Sequence, residues 1–183
     1  PYRTLGSYEV GEVVDPERGS CLELELAHPN FQLPALMNEY AVLELKNPIE
    51  LAGAPATIGA WVKGNSGWGQ FYWVIETPDK SRHYSCGQGA DADVFDYEGR
   101  VSLCYTGWAY LSMPILDRST VKNTSTGGAG ILWRGGSIDE AQLKGAKLVG
   151  IAVDMKNRPL YLTGRRETRQ IIRLGGIYTS DFR

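Results

Sequence analysis

The stretch Pro55–Pro78, PATIGAWVKGNSGWGQFYWVIETP, constrains this chain more than any other. It holds two β-rich runs, Thr57–Lys63 and Gln70–Thr77, joined by the glycine-bearing Gly64–Gly69, and the pattern predicts two paired antiparallel strands. In the second run Phe71, Trp73 and Ile75 alternate with Gln70, Tyr72, Val74 and Glu76. An extended backbone therefore buries the first set and turns the second to the other face. Trp61 and Trp73 are expected in the core.

The same alternation recurs along the chain. Ser20–Ala27 sets Leu22, Leu24 and Leu26 against Cys21, Glu23 and Glu25, as a half-buried strand does. Tyr40–Leu45 resumes an extended pattern that Asn47-Pro48 should close, because a residue before proline is biased to extended or turn geometry. Further short strands are expected at Arg82–Cys86, Arg100–Tyr105, Trp108–Met113, Lys147–Asp154, Pro159–Thr163 and Gln170–Tyr178. In Trp108–Met113, Trp108, Tyr110 and Ser112 share the face opposite Ala109, Leu111 and Met113, and Pro114 ends the run. The chain before Ser20 reads as irregular. One helix signal stands out, a capping box at Ser137-Ile138-Asp139-Glu140 with Gly145 as the stop. Many short strands, turn signals between them and no repeat of fixed period predict an all-β fold. The expected architecture is a jelly-roll β-sandwich of two antiparallel sheets with one short helix.

At 183 residues the chain fits a single β-sandwich domain over positions 1–183, which reads as a piece excised from a larger multidomain protein. A formal charge of -2 offers no basic footprint for nucleic acid or an anionic membrane. No apolar run approaches the roughly 18 residues of a membrane-spanning helix, and PYRTLGSYEV has neither region of a signal peptide. Cys21, Cys86 and Cys104 cannot all pair internally; a Cys86–Cys104 bridge and buried free thiols both stay open. With His28 and His83 alone, a histidine-based metal site is not expected. The acidic loop with Asp91, Asp93, Asp96 and Glu98 lacks the glycine and closing glutamate of an EF-hand and is expected to be solvated.

Trp61-Val62-Lys63-Gly64, Asp79, Gly107-Trp108 and Pro114, in that order, together with ILWRGG before KLVGIAVD, carry a resemblance that spans Pro55 to Asp154. The chain resembles the galactose-binding-like jelly rolls found as carbohydrate-binding modules beside glycoside hydrolases. That resemblance implies a secreted or cell-surface accessory domain, without catalysis of its own. Its partners would be a poly- or oligosaccharide and the neighbouring domains of the same protein. It also implies a structural calcium ion, for which Glu9 and Asp181 stand in the matching places.

Sugars present C–H faces ringed by hydroxyls, so a site for them pairs flat aromatic rings with carboxylates, amides and guanidinium groups. The side chains expected to bind a glycan are Trp68, Tyr72, Glu76, Tyr84, Trp108, Tyr110, Trp133 and Arg134. Trp68 and Trp133 are flanked by glycines, on loops where function concentrates. Two other readings stay open. In one, the exposed aromatics anchor a structural or adhesion module against a neighbouring domain. In the other, the chain is a jelly-roll lyase with His83 or Tyr84 as base beside Arg82, or a glycosidase drawing on Glu76 and the aspartates at 91, 93 and 96. No spacing marks a carboxylate pair, and no catalytic residue is assigned.

Overall fold

In a computed structural model, residues 7–28, 38–65, 70–85, 105–115, 138–156 and 170–180 are described. They form nine strands and one helix: β1 (Ser7–Asp15), β2 (Gly19–His28), β3 (Asn38–Glu50), β4 (Thr57–Asn65), β5 (Gln70–Glu76), β6 (Arg82–Tyr84), β7 (Thr106–Pro114), α1 (Glu140–Leu143), β8 (Lys147–Lys156) and β9 (Gln170–Ser180). Two antiparallel sheets result, a five-stranded one in the order β1-β2-β9-β4-β7 and a four-stranded one in the order β3-β8-β5-β6. After β2 the chain passes repeatedly from one sheet to the other, and the expected jelly-roll sandwich is what forms.

Alternation explains the layering. Leu24, Leu26, Ile58, Ala60, Val62, Ile172 and Leu174 line the inner face of the five-stranded sheet; Phe71, Trp73, Ile75, Leu148, Ile151 and Val153 line the inner face of the other. Period-two patterning puts these side chains on one face of each strand, and burying both faces against each other removes them from water. Trp73 is fully buried and meets Phe71 edge to face at 4.9 Å, as quadrupoles prefer.

Four expectations need correction. Thr57–Lys63 and Gln70–Thr77 do not pair with each other: β4 bonds to β7 and β9, whereas β5 bonds to β6 and β8. Each has a strongly apolar face, so the two strands are placed on opposite sheets with those faces against the shared core. β3 runs through Asn47-Pro48 to Glu50, because a register shift between Glu44 and Ile49 absorbs the proline. The residues before Ser20 include a strand, β1, whose Asp15-Pro16-Glu17-Arg18-Gly19 turn leads into β2. Gly19 adopts φ 72°, and Asp15 Oδ1 accepts the Glu17 N–H at 3.0 Å. The helix is capped two residues later than expected, with Asp139 accepting from the Gln142 N–H at 2.7 Å and Gln142 Oε1 accepting from the Asp139 N–H at 3.0 Å.

β9 departs from strict alternation. Val62 opposes Leu174 and Ala60 opposes Ile177, so the single residue Trp61 faces two, Gly175 and Gly176. This is a β-bulge, and it changes the sidedness of everything beyond it. Ile177 packs on the core beside the buried Leu174, and Tyr178 is thereby turned outward, onto the face that carries Arg173.

Trp73→Ala is expected to cost about 3–5 kcal/mol in urea unfolding, the range for aromatic truncation in a packed core. Tyr178→Ala, which removes an exposed ring, should stay within about 0.5 kcal/mol of the parent. Equal losses would contradict the layering.

Candidate functional site

The outer face of the five-stranded sheet is built on β4, whose inward residues are Ile58, Ala60 and Val62; Gly59, Trp61, Lys63 and Asn65 therefore point the other way. Register aligns them with partners on both sides. Trp61 opposes Tyr110, Lys63 opposes Trp108 and Arg173, and Asn65 opposes Thr106. Rows of side chains thus cross β9, β4 and β7.

One end of this face is aromatic. Tyr110 lies 5.5 Å from Trp61 and 6.3 Å from Tyr178, ring centre to ring centre, and both pairs are tilted rather than stacked. The rings lie down because glycines floor them: a Cβ added at Gly59 would stand 2.6 Å from the Tyr110 hydroxyl, and one at Gly176 would stand 2.7 Å from that of Tyr178. Tyr110 is 43% and Tyr178 53% exposed, although tyrosine rings usually find cover. Trp61 is half-buried, with the Arg18 guanidinium carbon 3.5 Å above its ring centre.

The middle of the face is a charged knot. Asp15 Oδ2 accepts hydrogen bonds from Lys63 Nζ at 2.8 Å and Arg173 Nη1 at 2.8 Å; Oδ1 accepts from Trp108 Nε1 at 3.2 Å. Arg173 Nε donates to Glu23 Oε2 at 2.6 Å. Bonds from Lys63, the Glu17 N–H, Arg173 and Trp108 hold the Asp15 carboxyl far below the ordinary carboxylate range, against the opposing effect of burial. Glu23 and Asp15 push the Arg173 guanidinium pKa up. These bonds also reveal shape. In the sheet order β7 lies four strands from β1, roughly 19 Å at the usual strand spacing, yet Asp15 reaches the Trp108 indole. The end of the β1–β2 hairpin is therefore carried over the face, and this is how Arg18 arrives on Trp61.

Beyond the knot, a cleft of about 250 Å³ opens between Lys63, Asn65, Thr106, Ile171 and Arg173. Its size suits a small-molecule group more than a long polymer.

Of the residues expected to bind a ligand, Trp108 and Tyr110 lie on this face. Trp108 is half-buried and its indole N–H is spent on Asp15, so it supports the site more than it offers contact. Tyr72, Glu76 and Tyr84 belong to the four-stranded sheet and are not brought together with them. Tyr72 occupies the expected side of β5 but is only 1% exposed, since Val74, Val149, Ala152, Val42 and Tyr84 build a second small core there. Glu76 is held by Lys80 Nζ at 3.1 Å and Arg82 Nε at 3.5 Å, and Arg82 also donates to Glu44 at 2.8 Å. His83 is not on an exposed segment: it is buried, with Nε2 3.3 Å from Thr77 Oγ1. Trp68, Trp133, Arg134 and the aspartates at 91, 93 and 96 lie outside the described residues, as do Cys86 and Cys104; Cys21 is a buried free thiol.

Glu9 is exposed on β1, and its proposed calcium partner Asp181 lies outside the described residues. Among the described residues no three His, Cys, Asp or Glu side chains cluster as a metal site would require. None of the helices among them is long and apolar enough to cross a membrane.

Sequence reasoning missed Asp15, Arg18, Trp61, Lys63, Arg173 and Tyr178. Trp61 was expected in the core, yet it alternates with Ile58, Ala60 and Val62 and so faces outward. The turn residues Asp15-Pro16 and Gly19 were a legible signal for the first hairpin.

No protein-family model matches the chain, and no curated protein matches it. Solved structures do. An agarase is 10% identical with a TM-score of 0.50, the match covering 95% of this chain and 22% of that one. An exo-beta-agarase is 8% identical with a TM-score of 0.50, covering 99% of this chain and 24% of that one. The family 11 carbohydrate-binding module of a cellulosomal cellulase of Clostridium thermocellum is 10% identical with a TM-score of 0.46, covering 98% of this chain and 86% of that one. At these identities the likeness is one of fold. The chain spans less than a quarter of the length of the agarase chains it matches.

The Asp15 knot makes a signed prediction. A carboxylate whose folded pKa is depressed contributes stability above its unfolded pKa of about 3.9 and loses it as pH falls toward the folded value. Asp15→Asn should therefore lower Tm at neutral pH, and its gap from the parent should narrow below about pH 4. Melting curves across pH check this; a gap of constant width would contradict an ionic origin.

Proposed function

We propose that the chain is a non-catalytic module that binds a poly- or oligosaccharide on the outer face of its five-stranded sheet. The observation that carries this reading is the pair Tyr110 and Tyr178, two large rings left 43% and 53% exposed side by side at 6.3 Å. Rings laid flat over glycines and held by a rigid sheet lose little entropy on binding, and they offer C–H faces a surface of matching shape. Farther along the same face stand Lys63 and Arg173, in the charged knot, and Asn65 beyond it, groups suited to directional bonds with hydroxyls.

Several observations speak for binding without catalysis. Asp15 and Glu23 are committed to ion pairs, and a carboxyl held ionised makes a poor general acid. Glu76 is tied to Lys80 and Arg82, and His83 is buried, so among the described residues these two groups considered for a lyase or glycosidase do not meet at an open site. The fold likeness to agarase chains, less than a quarter of whose length this chain covers, supports reading it as an accessory domain of a larger polysaccharide-acting protein. Agar-type galactans are therefore the first ligands to test.

A second reading has an observation of its own. Val10 and Val14, 50% and 82% exposed, stand on β1, an edge strand of the five-stranded sheet, as apolar contacts to a neighbouring domain would.

Calorimetric titration with a panel of neutral oligosaccharides separates the two. For sugar binding, Tyr110→Ala and Tyr178→Ala should each weaken affinity about three- to tenfold, as expected for one aromatic contact. Tyr72→Phe should leave it unchanged. Tyrosine variants that bind as the parent does would remove this face from the mechanism.

A further inference from the structure

The face has more to say about which glycan it takes. Of its cations, Lys63 and Arg173 are both consumed by Asp15, and Arg173 additionally by Glu23. Arg18 differs. Its guanidinium carbon sits 3.5 Å over the Trp61 ring, and among the described residues it forms no ion pair.

We propose that Arg18 is a specificity-determining residue for an anionic glycan: its guanidinium, stacked on Trp61 beside the exposed Tyr110 and Tyr178, receives a sulfate ester or a carboxylate carried by the sugar. The inference rests on the reading of this face as a glycan site. A guanidinium stacked on an indole keeps its N–H donors at its edge, in the planar fork that matches two oxygens of a sulfate or carboxylate. The ring shields one of its faces from water, which strengthens the pair it can form. The side chain is also presented rather than floating. Arg18 follows the turn that Asp15 pins across the sheet, so part of the ordering cost is met before any ligand arrives.

Geometry assigns the complementary roles. Trp61 adjoins both Arg18 and Tyr110, so a sugar resting on the two tyrosines has the guanidinium one ring away. The overall charge of -2 does not oppose this, because recognition through one bidentate pair is local and needs no long-range basic field. The carboxylates of Asp15 and Glu23 are already neutralised by Lys63 and Arg173 and so repel an incoming anion weakly.

The test titrates the chain with a neutral agaro-oligosaccharide, the same oligosaccharide bearing sulfate esters, and an oligogalacturonate of equal length, each at low and high salt. One of the anionic probes should bind about tenfold more tightly than the neutral sugar, the gain expected of one charge-assisted pair, and the advantage should shrink with salt. Which probe gains identifies the oxyanion as sulfate or carboxylate. Arg18→Gln should abolish the advantage, bringing the favoured anionic probe down to the variant's own affinity for the neutral sugar; Arg18→Lys should keep only part of it, because charge survives without the fork. Circular dichroism of both variants should match the parent, since the side chain is exposed. If the neutral sugar binds as tightly as both anions, or Arg18→Gln retains the preference, the Arg18 assignment falls and the glycan reading stands. Should none of the probes bind the parent, both fall.

Discussion

Two apolar layers facing each other across one core are the condition on which everything else in this molecule depends. Leu24, Ile58, Val62 and Ile172 from one sheet, and Phe71, Trp73, Ile151 and Val153 from the other, are fixed in place by burial. Once they are fixed, pleating leaves no choice about the remaining positions of each strand. Trp61, Lys63, Trp108 and Tyr110 face outward because their neighbours in sequence face inward. The outer face of the five-stranded sheet is thus a by-product of core packing, refined by glycines that let large rings lie close to the backbone.

The hairpin between β1 and β2 adds a second level of organisation. A single carboxylate, Asp15, gathers donors from β9, β4 and β7 and so ties the first hairpin to strands far away in the sheet order. A hydrogen-bond network of this kind between long-range polar partners is strongest when every donor and acceptor is matched, and here both carboxylate oxygens are engaged. The same knot separates an aromatic end of the face from a small cleft between Lys63, Asn65 and Ile171. A ligand spanning both ends would meet rings, charges and a recess in sequence.

Much of this was legible in the residues alone. Most of the described strands after Ser20, the sandwich and the outward side of Trp108 and Tyr110 follow from alternation, which is local. What failed was non-local. Whether β4 pairs with β5 or faces it across the core depends on which apolar surfaces find each other, and the alternation within either strand is the same in both cases. Tyr72 lay on the side expected for it, but both faces of the four-stranded sheet carry apolar side chains, so facing away from the main core did not mean facing water. Asp15 and Arg18 sat in a stretch read as irregular, where a proline, an aspartate and a glycine mark the turn but nothing marks its distant partners. Trp61 was misplaced by composition, because tryptophan is usually covered, while parity with Lys63 pointed the right way.

The glycine pair on β9 carries a wider lesson. Because one extra residue sits opposite Trp61, the reading frame of the strand is shifted by half a pleat from Ile177 onward. Paired one to one at its present length, that segment would exchange interior and exterior, drawing a polar-rimmed ring into the core and pushing an isoleucine into water with no side chain altered. Removing one of the two glycines would instead restore one-to-one pairing and leave both faces as they are, so it is pairing register, not residue identity, that decides on which side of the sheet this ring is offered.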